Sequence, residues 1–127
     1  MRRLPLALGC WLCLAFGPRI VPIKHGSADG KAILLAITPY AKVHSPHPCR
    51  VPAETIKRAG DWAFVYSSLP CTNPADPSAG SMIALLKKGH IWTIREIAVG
   101  ATGLEDLGHK WEAKYKLPPG LAAWKAG

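Results

Sequence analysis

Acidic side chains are scarce in this chain of 127 residues: eight Asp and Glu stand against 16 Lys and Arg, for a net charge of +8. Long apolar runs are missing as well. The longest, Leu4 to Phe16, is about 13 residues, short of the roughly 20 that a membrane-spanning helix needs, so no transmembrane anchor is expected. No fixed period repeats, which excludes collagen, coiled coil and solenoid. The four cysteines are too few for a disulfide-built miniprotein, and the spacings of Cys10, Cys13, Cys49 and Cys71 match no zinc-ligand framework. A Gly-rich phosphate loop, a nucleophile elbow and a Ser-His-Asp order are also lacking. With an apolar fraction of 49%, what is left is one small folded domain.

The N-terminus carries the compartment. Arg2 and Arg3 precede the run Leu4–Phe16 in the order of a secretory leader, a basic segment followed by an apolar one. Two cleavage positions fit, after Gly17 and after Ala28, and the small residues Gly26-Ser27-Ala28 favour the second. Residues 1–28 are therefore expected to be a signal peptide, 29–121 the domain and 122–127 a C-terminal tail, with the product periplasmic or secreted. Removing Arg2, Arg3, Arg19 and Lys24 leaves 12 basic residues against eight acidic ones, a net +4. That is an ordinary solubility charge and gives no footprint for nucleic acid. Outside the cytosol Cys49 and Cys71 form a candidate disulfide closing a loop of about twenty residues, worth roughly 3 kcal/mol in the chain-entropy model; otherwise they are two free thiols.

Along the domain, Ile33, Leu34, Ile37 and Tyr40 recur at helical spacing behind a cap at Ser27 or Asp29, and Thr38-Pro39 is expected to end or kink that helix. Val51–Arg58 and Asp61–Ser68 read as two strands joined at Ala59-Gly60, with Trp62, Phe64 and Tyr66 on one face, aimed at the helix. Residues 70–80 read as a surface loop. A second hairpin, Met82–Lys87 and Ile91–Ala98, turns through Lys88-Gly89-His90. Strict alternation puts Trp92, Ile94, Glu96 and Ala98 together and Ile91, Thr93, Arg95 and Ile97 opposite. Thr102-x-x-Glu105 is a capping-box pattern opening a second helix with Leu104, Leu107, Trp111 and Tyr115 on one side. The expected fold is α+β: a four-stranded antiparallel meander packed against one or two helices in the order helix-β-β-β-β-helix, one face covered and the other partly solvated.

Few residues invite chemistry. His44, His47, His90 and His109 form no i, i+4 pair and read as solvent-exposed rather than as metal ligands. Asp61 at the first hairpin reads either as a turn-forming carboxylate or as a general base. Glu105, Asp106 and Glu112 read as solvated stabilisers of the second helix. Lys57, Arg58, Lys87, Lys88 and Arg95, on neighbouring strands, read as a basic stripe or as protected sheet edges. With Asp61 they make the candidate ligand or partner face. Trp62, Phe64, Trp92 and Trp111 read as core. No metal, cofactor or catalytic residue is expected.

The ordered set Gly60-Asp61-Trp62-Ala63-Phe64-Val65, Ala84-Leu85-Leu86-Lys87-Lys88, Trp92-Thr93-Ile94, Ala98-Val99-Gly100-Ala101-Thr102 and the late Trp111, Tyr115 and Leu117-Pro118 resembles a family of small exported bacterial proteins with a GDWAFV…ALLRR…W-x-V pattern. The resemblance covers about residues 30–121 and departs from the pattern at Gly103 and Ile91. It implies a cystatin-like or NTF2-like α+β fold and export, and no catalytic residue. The expected function is a non-catalytic binding or accessory module of the cell envelope, its partner an envelope protein or a small ligand. Two alternatives stand beside it: a small NTF2-like enzyme or small-molecule carrier, using Asp61, and an electrostatic binder of anionic envelope polymers.

Overall fold

Residues 18–44, 55–68, 81–100 and 102–124 are described in the computed structural model of the protein. They build an antiparallel sheet with two helices. The elements are β1 (Val21–Pro22), α1 (Ala28–His44), β2 (Thr55–Ala59), β3 (Trp62–Ser68), β4 (Ser81–Lys88), β5 (Trp92–Gly100) and α2 (Leu104–Tyr115). The strands lie in chain order, β1 to β5, each antiparallel to the next. The sheet therefore has five strands rather than the expected four. The addition is β1, whose two residues pair with Arg58 and Lys57 of β2. Two residues are too short to show a period of two, and Pro22 is tolerated there because β1 is an edge strand with one side outside the ladder.

Alternation along the strands feeds two cores. On one face Ile56, Ala63, Val65, Met82, Ala84 and Leu86 pack with Ile33 and Ile37 of α1. On the other, Phe64, Ile83 and Leu85 pack with Leu104 and Trp111 of α2 and with Leu117 and Leu121 beyond it. Both faces are covered, so the partly solvated face expected from the sequence is absent among the described residues. The aromatic face of β3 points to α2 and the C-terminal segment rather than to α1: Trp62 meets Tyr115 at 5.0 Å between ring centroids, and Trp124 stacks on Tyr66 at 4.8 Å and on Phe64 at 5.8 Å. The small side chains Ala63 and Ala84 on the opposite face leave room for α1.

Three local features differ from the expectation. α1 continues through Pro39 to His44. Proline deprives the Leu35 carbonyl of its N–H partner, yet the turn that precedes it is anchored by fully buried Ile33 and Ile37. The capping box of α2 does not form; Gly103, in the left-handed region at φ 81°, stands at the N-cap and no side chain caps the helix. In β5 the pairing slips at Arg95, with Leu85 opposite Glu96 and Leu86 opposite Ile94. This β-bulge takes up one residue, so Ile97 and Val99 join Ile94 on the α1 face. Glu96 and Ala98 turn to the α2 side, opposite to what strict alternation assigns to Ile97 and Glu96.

Two glycines allow close approaches. A Cβ on Gly30 would collide with the Lys24 carbonyl oxygen, and one on Gly108 would stand 2.7 Å from that of Ala122. A glycine inside a helix costs about 1 kcal/mol against alanine. Here it lets the segment before α1 and the segment after α2 press against the helices.

Candidate functional site

The charged residues at the hairpin end of the sheet divide by the same alternation that builds the cores. Lys57 and Lys87 lie toward α2: Lys87 sits 4.9 Å over the Trp62 ring, and Lys57 Nζ donates to the Gly120 carbonyl at 2.7 Å and to that of Ala123. Arg58 and Lys88 lie toward α1. Arg95 is exposed at the bulge, and Asp61 is exposed in the β2–β3 turn, where its backbone carbonyl accepts from Lys88 N–H at 2.8 Å. The candidate face is thus not one stripe. Consecutive residues of a strand point to opposite sides, so Lys57-Arg58 and Lys87-Lys88 are split pairs.

Arg58 and Lys88 converge on Asp29. Ser27 caps α1, its hydroxyl accepting from Gly30 N–H at 3.1 Å, which leaves the Asp29 carboxylate free to point across the sheet. One carboxylate oxygen accepts from Arg58 at 2.6 Å; the other accepts from Lys88 at 3.1 Å and from the Trp92 indole N–H at 3.0 Å. Both cations also lie over the Trp92 ring, at 5.3 and 5.6 Å from its centroid. The indole hydrogen bond, the Lys88 ammonium and the Arg58 charge together hold the Asp29 carboxyl below the usual carboxylate range, against a smaller opposing effect of burial. Two cations share one anion, and a net positive charge is left over.

Beside this cluster runs a groove of about 450 Å³ between α1 and the β4–β5 hairpin. Its apolar walls are Ala32, Leu35 and Ala36 on the helix and Ile91 and Trp92 on the hairpin, with Asp29 and Lys88 also lining it. Leu35 is 76% and Ile91 69% exposed, the two most exposed large apolar side chains among the described residues. The sequence offered a signal for this only in part. Ile91 was one of two positions, with Gly103, that depart from the pattern the chain resembles, and Arg58 and Lys88 belonged to the candidate face. Asp29 gave no local sign, because its partners lie 29, 59 and 63 positions away.

A second polar cluster lies on the other side. Glu96 accepts from Lys114 at 2.8 Å and from the Tyr115 hydroxyl, which holds its carboxyl below the usual range and pushes the tyrosine and the lysine up. Glu112, read from the sequence as solvated, is half-buried instead, accepting from the backbone N–H groups of Gly120 at 3.0 Å and Ala122 at 2.8 Å. A further hollow of about 290 Å³ opens between Tyr66, Ser81 and the start of α2. His90 and His109 are exposed, the latter 3.5 Å from Glu112; His47, the side chain of His44 and all four cysteines, the proposed Cys49–Cys71 bridge included, lie outside the described residues. Among the described residues no three or more His, Cys, Asp or Glu gather as a metal site, and no helix is long and apolar enough to cross a membrane.

The Asp29 cluster predicts an acid response. A carboxyl held low in the fold contributes stability that is present above its unfolded pKa and is lost as pH falls through the folded one. Urea midpoints are therefore expected to drop as pH is lowered below about 4. In Asp29→Asn that drop is expected to be shallower, on a midpoint already reduced at neutral pH; an identical acid profile in the variant would remove Asp29 from this role.

No family model, curated protein or solved structure matches the chain.

Proposed function

We propose that the protein is an exported, non-catalytic binding module of the cell envelope and that it binds through the groove between α1 and the β4–β5 hairpin. The observation that carries the reading is the exposure of Leu35 and Ile91 on facing walls beside an excess cation. Apolar side chains of that size gain about 1.5–3 kcal/mol each on full burial, and both stand where an occupant would cover them together. Export rests on the Arg2-Arg3 and Leu4–Phe16 pattern, in keeping with the resemblance to small exported proteins. The division of the cations between two faces weighs against a polymer held by charge alone, and the exposed turn position of Asp61 weighs against a general base in a cavity.

The test is a photoreactive side chain placed at position 35 or 91 of the tagged protein in its native host, with position 105 on α2 as control. The intact protein is then weighed. An adduct of defined mass from 35 and 91, absent from 105, in the envelope or medium fraction is the expected result. Adducts of equal yield at all three positions, none at any, or recovery from the cytosol would overturn the reading.

A further inference from the structure

Resting on that reading, we infer that the occupant of the groove is a free single-chain amphiphile with an anionic head, a long-chain carboxylate, its head on Lys88 and its tail between α1 and the hairpin. Size argues first. About 450 Å³ lies within the range of small-molecule sites. Shape follows from the helix: Asp29 to Ala36 covers about 10 Å along α1, a narrow lane with alanine at 32 and 36 and apolar walls at Leu35 and Ile91. The charged residues stand at the start of that lane.

Charge sets the head group. Among the described residues Asp29 is the only acid lining the groove, and it is shared between Arg58 and Lys88. Lys88 keeps about a third of its side chain exposed and is held at 3.1 Å, against 2.6 Å for Arg58. It is the cation better placed to turn toward an incoming carboxylate while Arg58 retains Asp29. Trp92, 5% exposed and tied to Asp29 through its indole N–H, supplies a fixed floor. A neutral lipid would leave the excess cation unmatched, and a short anion would leave Leu35 and Ile91 wet.

The full chain is titrated calorimetrically with straight-chain carboxylates of eight to fourteen carbons, each below its micelle concentration. A single saturable site is expected, tightening about fourfold per added methylene until the lane is filled. Lys88→Ala should weaken the carboxylates at least tenfold and leave the primary alcohol of equal length unchanged, while Lys88→Arg restores most of the loss. Leu35→Ser and Ile91→Ser, both at exposed positions, should flatten the dependence on chain length. Affinity that ignores chain length, or equal loss for acid and alcohol in Lys88→Ala, would overturn the inference. So would binding to anionic vesicles without binding of the monomer, which would make the groove a membrane contact. A protein adduct at positions 35 and 91 without carboxylate binding would overturn the amphiphile and leave the binding module standing; silence in both experiments would remove both.

Discussion

A chain that begins at Asp29 is expected to unfold at a much lower urea concentration than one that begins at Pro18. The shorter chain loses β1 and, just after it, the hydrogen bond from Ile23 N–H to the Ile56 carbonyl at 2.9 Å. It loses Ile23 from the α1 core and Ile20 from the α2 core, each half-buried. It also loses Ser27, whose hydroxyl caps α1. Counting about 1 kcal/mol for each half-buried isoleucine, for the cap and for the hydrogen bond gives a deficit of about 4 kcal/mol. A small domain has 5–15 kcal/mol in total. The deficit should show as a lower midpoint together with a smaller dependence on denaturant, since less surface is buried.

That expectation bears on where a leader would be cut in the proposed exported form. Cleavage after Ala28, the position the small residues favour, would release a product without its edge strand and its helix cap. Cleavage after Gly17 would leave both in place, so the mature protein is expected to begin at Pro18 or before, read directly from its N-terminal mass. Equal stability of the two chains would make β1 dispensable and return the choice to Ala28.

What the sequence made legible follows from how local each signal is. The two hairpins, the two helices and the antiparallel meander rest on turn residues and periodicities spanning about a dozen residues or fewer, and all are present, each turn falling one residue later than expected, at Gly60-Asp61 and at Gly89-His90-Ile91. β1 was hidden because two residues carry no period. The faces of β5 were misassigned because a bulge at Arg95 leaves no mark in composition. The site depends on longer range still. Arg58 and Lys88 were recognisable as candidates, but only the fold brings Asp29 between them, and only the register separates them from Lys57 and Lys87. Leu35 falls outside the apolar spacing read for α1, and only the fold, which takes Ile33 and Ile37 into the sheet and leaves Leu35 76% exposed, shows what it faces.

The same limit hid the role of Glu112, and its substitution carries the second large effect. It reads with Glu105 and Asp106 as a solvated acid of the second helix, yet its side chain is only 12% exposed. Its carboxylate accepts two backbone N–H bonds from the turn at residues 120–122, while Lys57, across the same segment, donates to the carbonyls of Gly120 and Ala123. An acid and a base thus grip opposite polar groups of one stretch of backbone. Burial pushes the Lys57 ammonium down, and the Glu112 charge offsets part of that. Glu112→Ala removes the acceptor of two charge-assisted bonds and leaves Lys57 without its counter-charge, an expected loss of about 3 kcal/mol. Glu112→Gln keeps one carbonyl acceptor and should lose about 1 kcal/mol. The segment also carries Leu121, fully buried, and Trp124, stacked on Tyr66 and Phe64. Its release should therefore show as an earlier change in tryptophan environment than in far-ultraviolet circular dichroism during unfolding of Glu112→Ala. Coincident transitions would mean that the clasp and the sheet fail together, and a loss below 1 kcal/mol would mean that apolar packing alone holds the segment down.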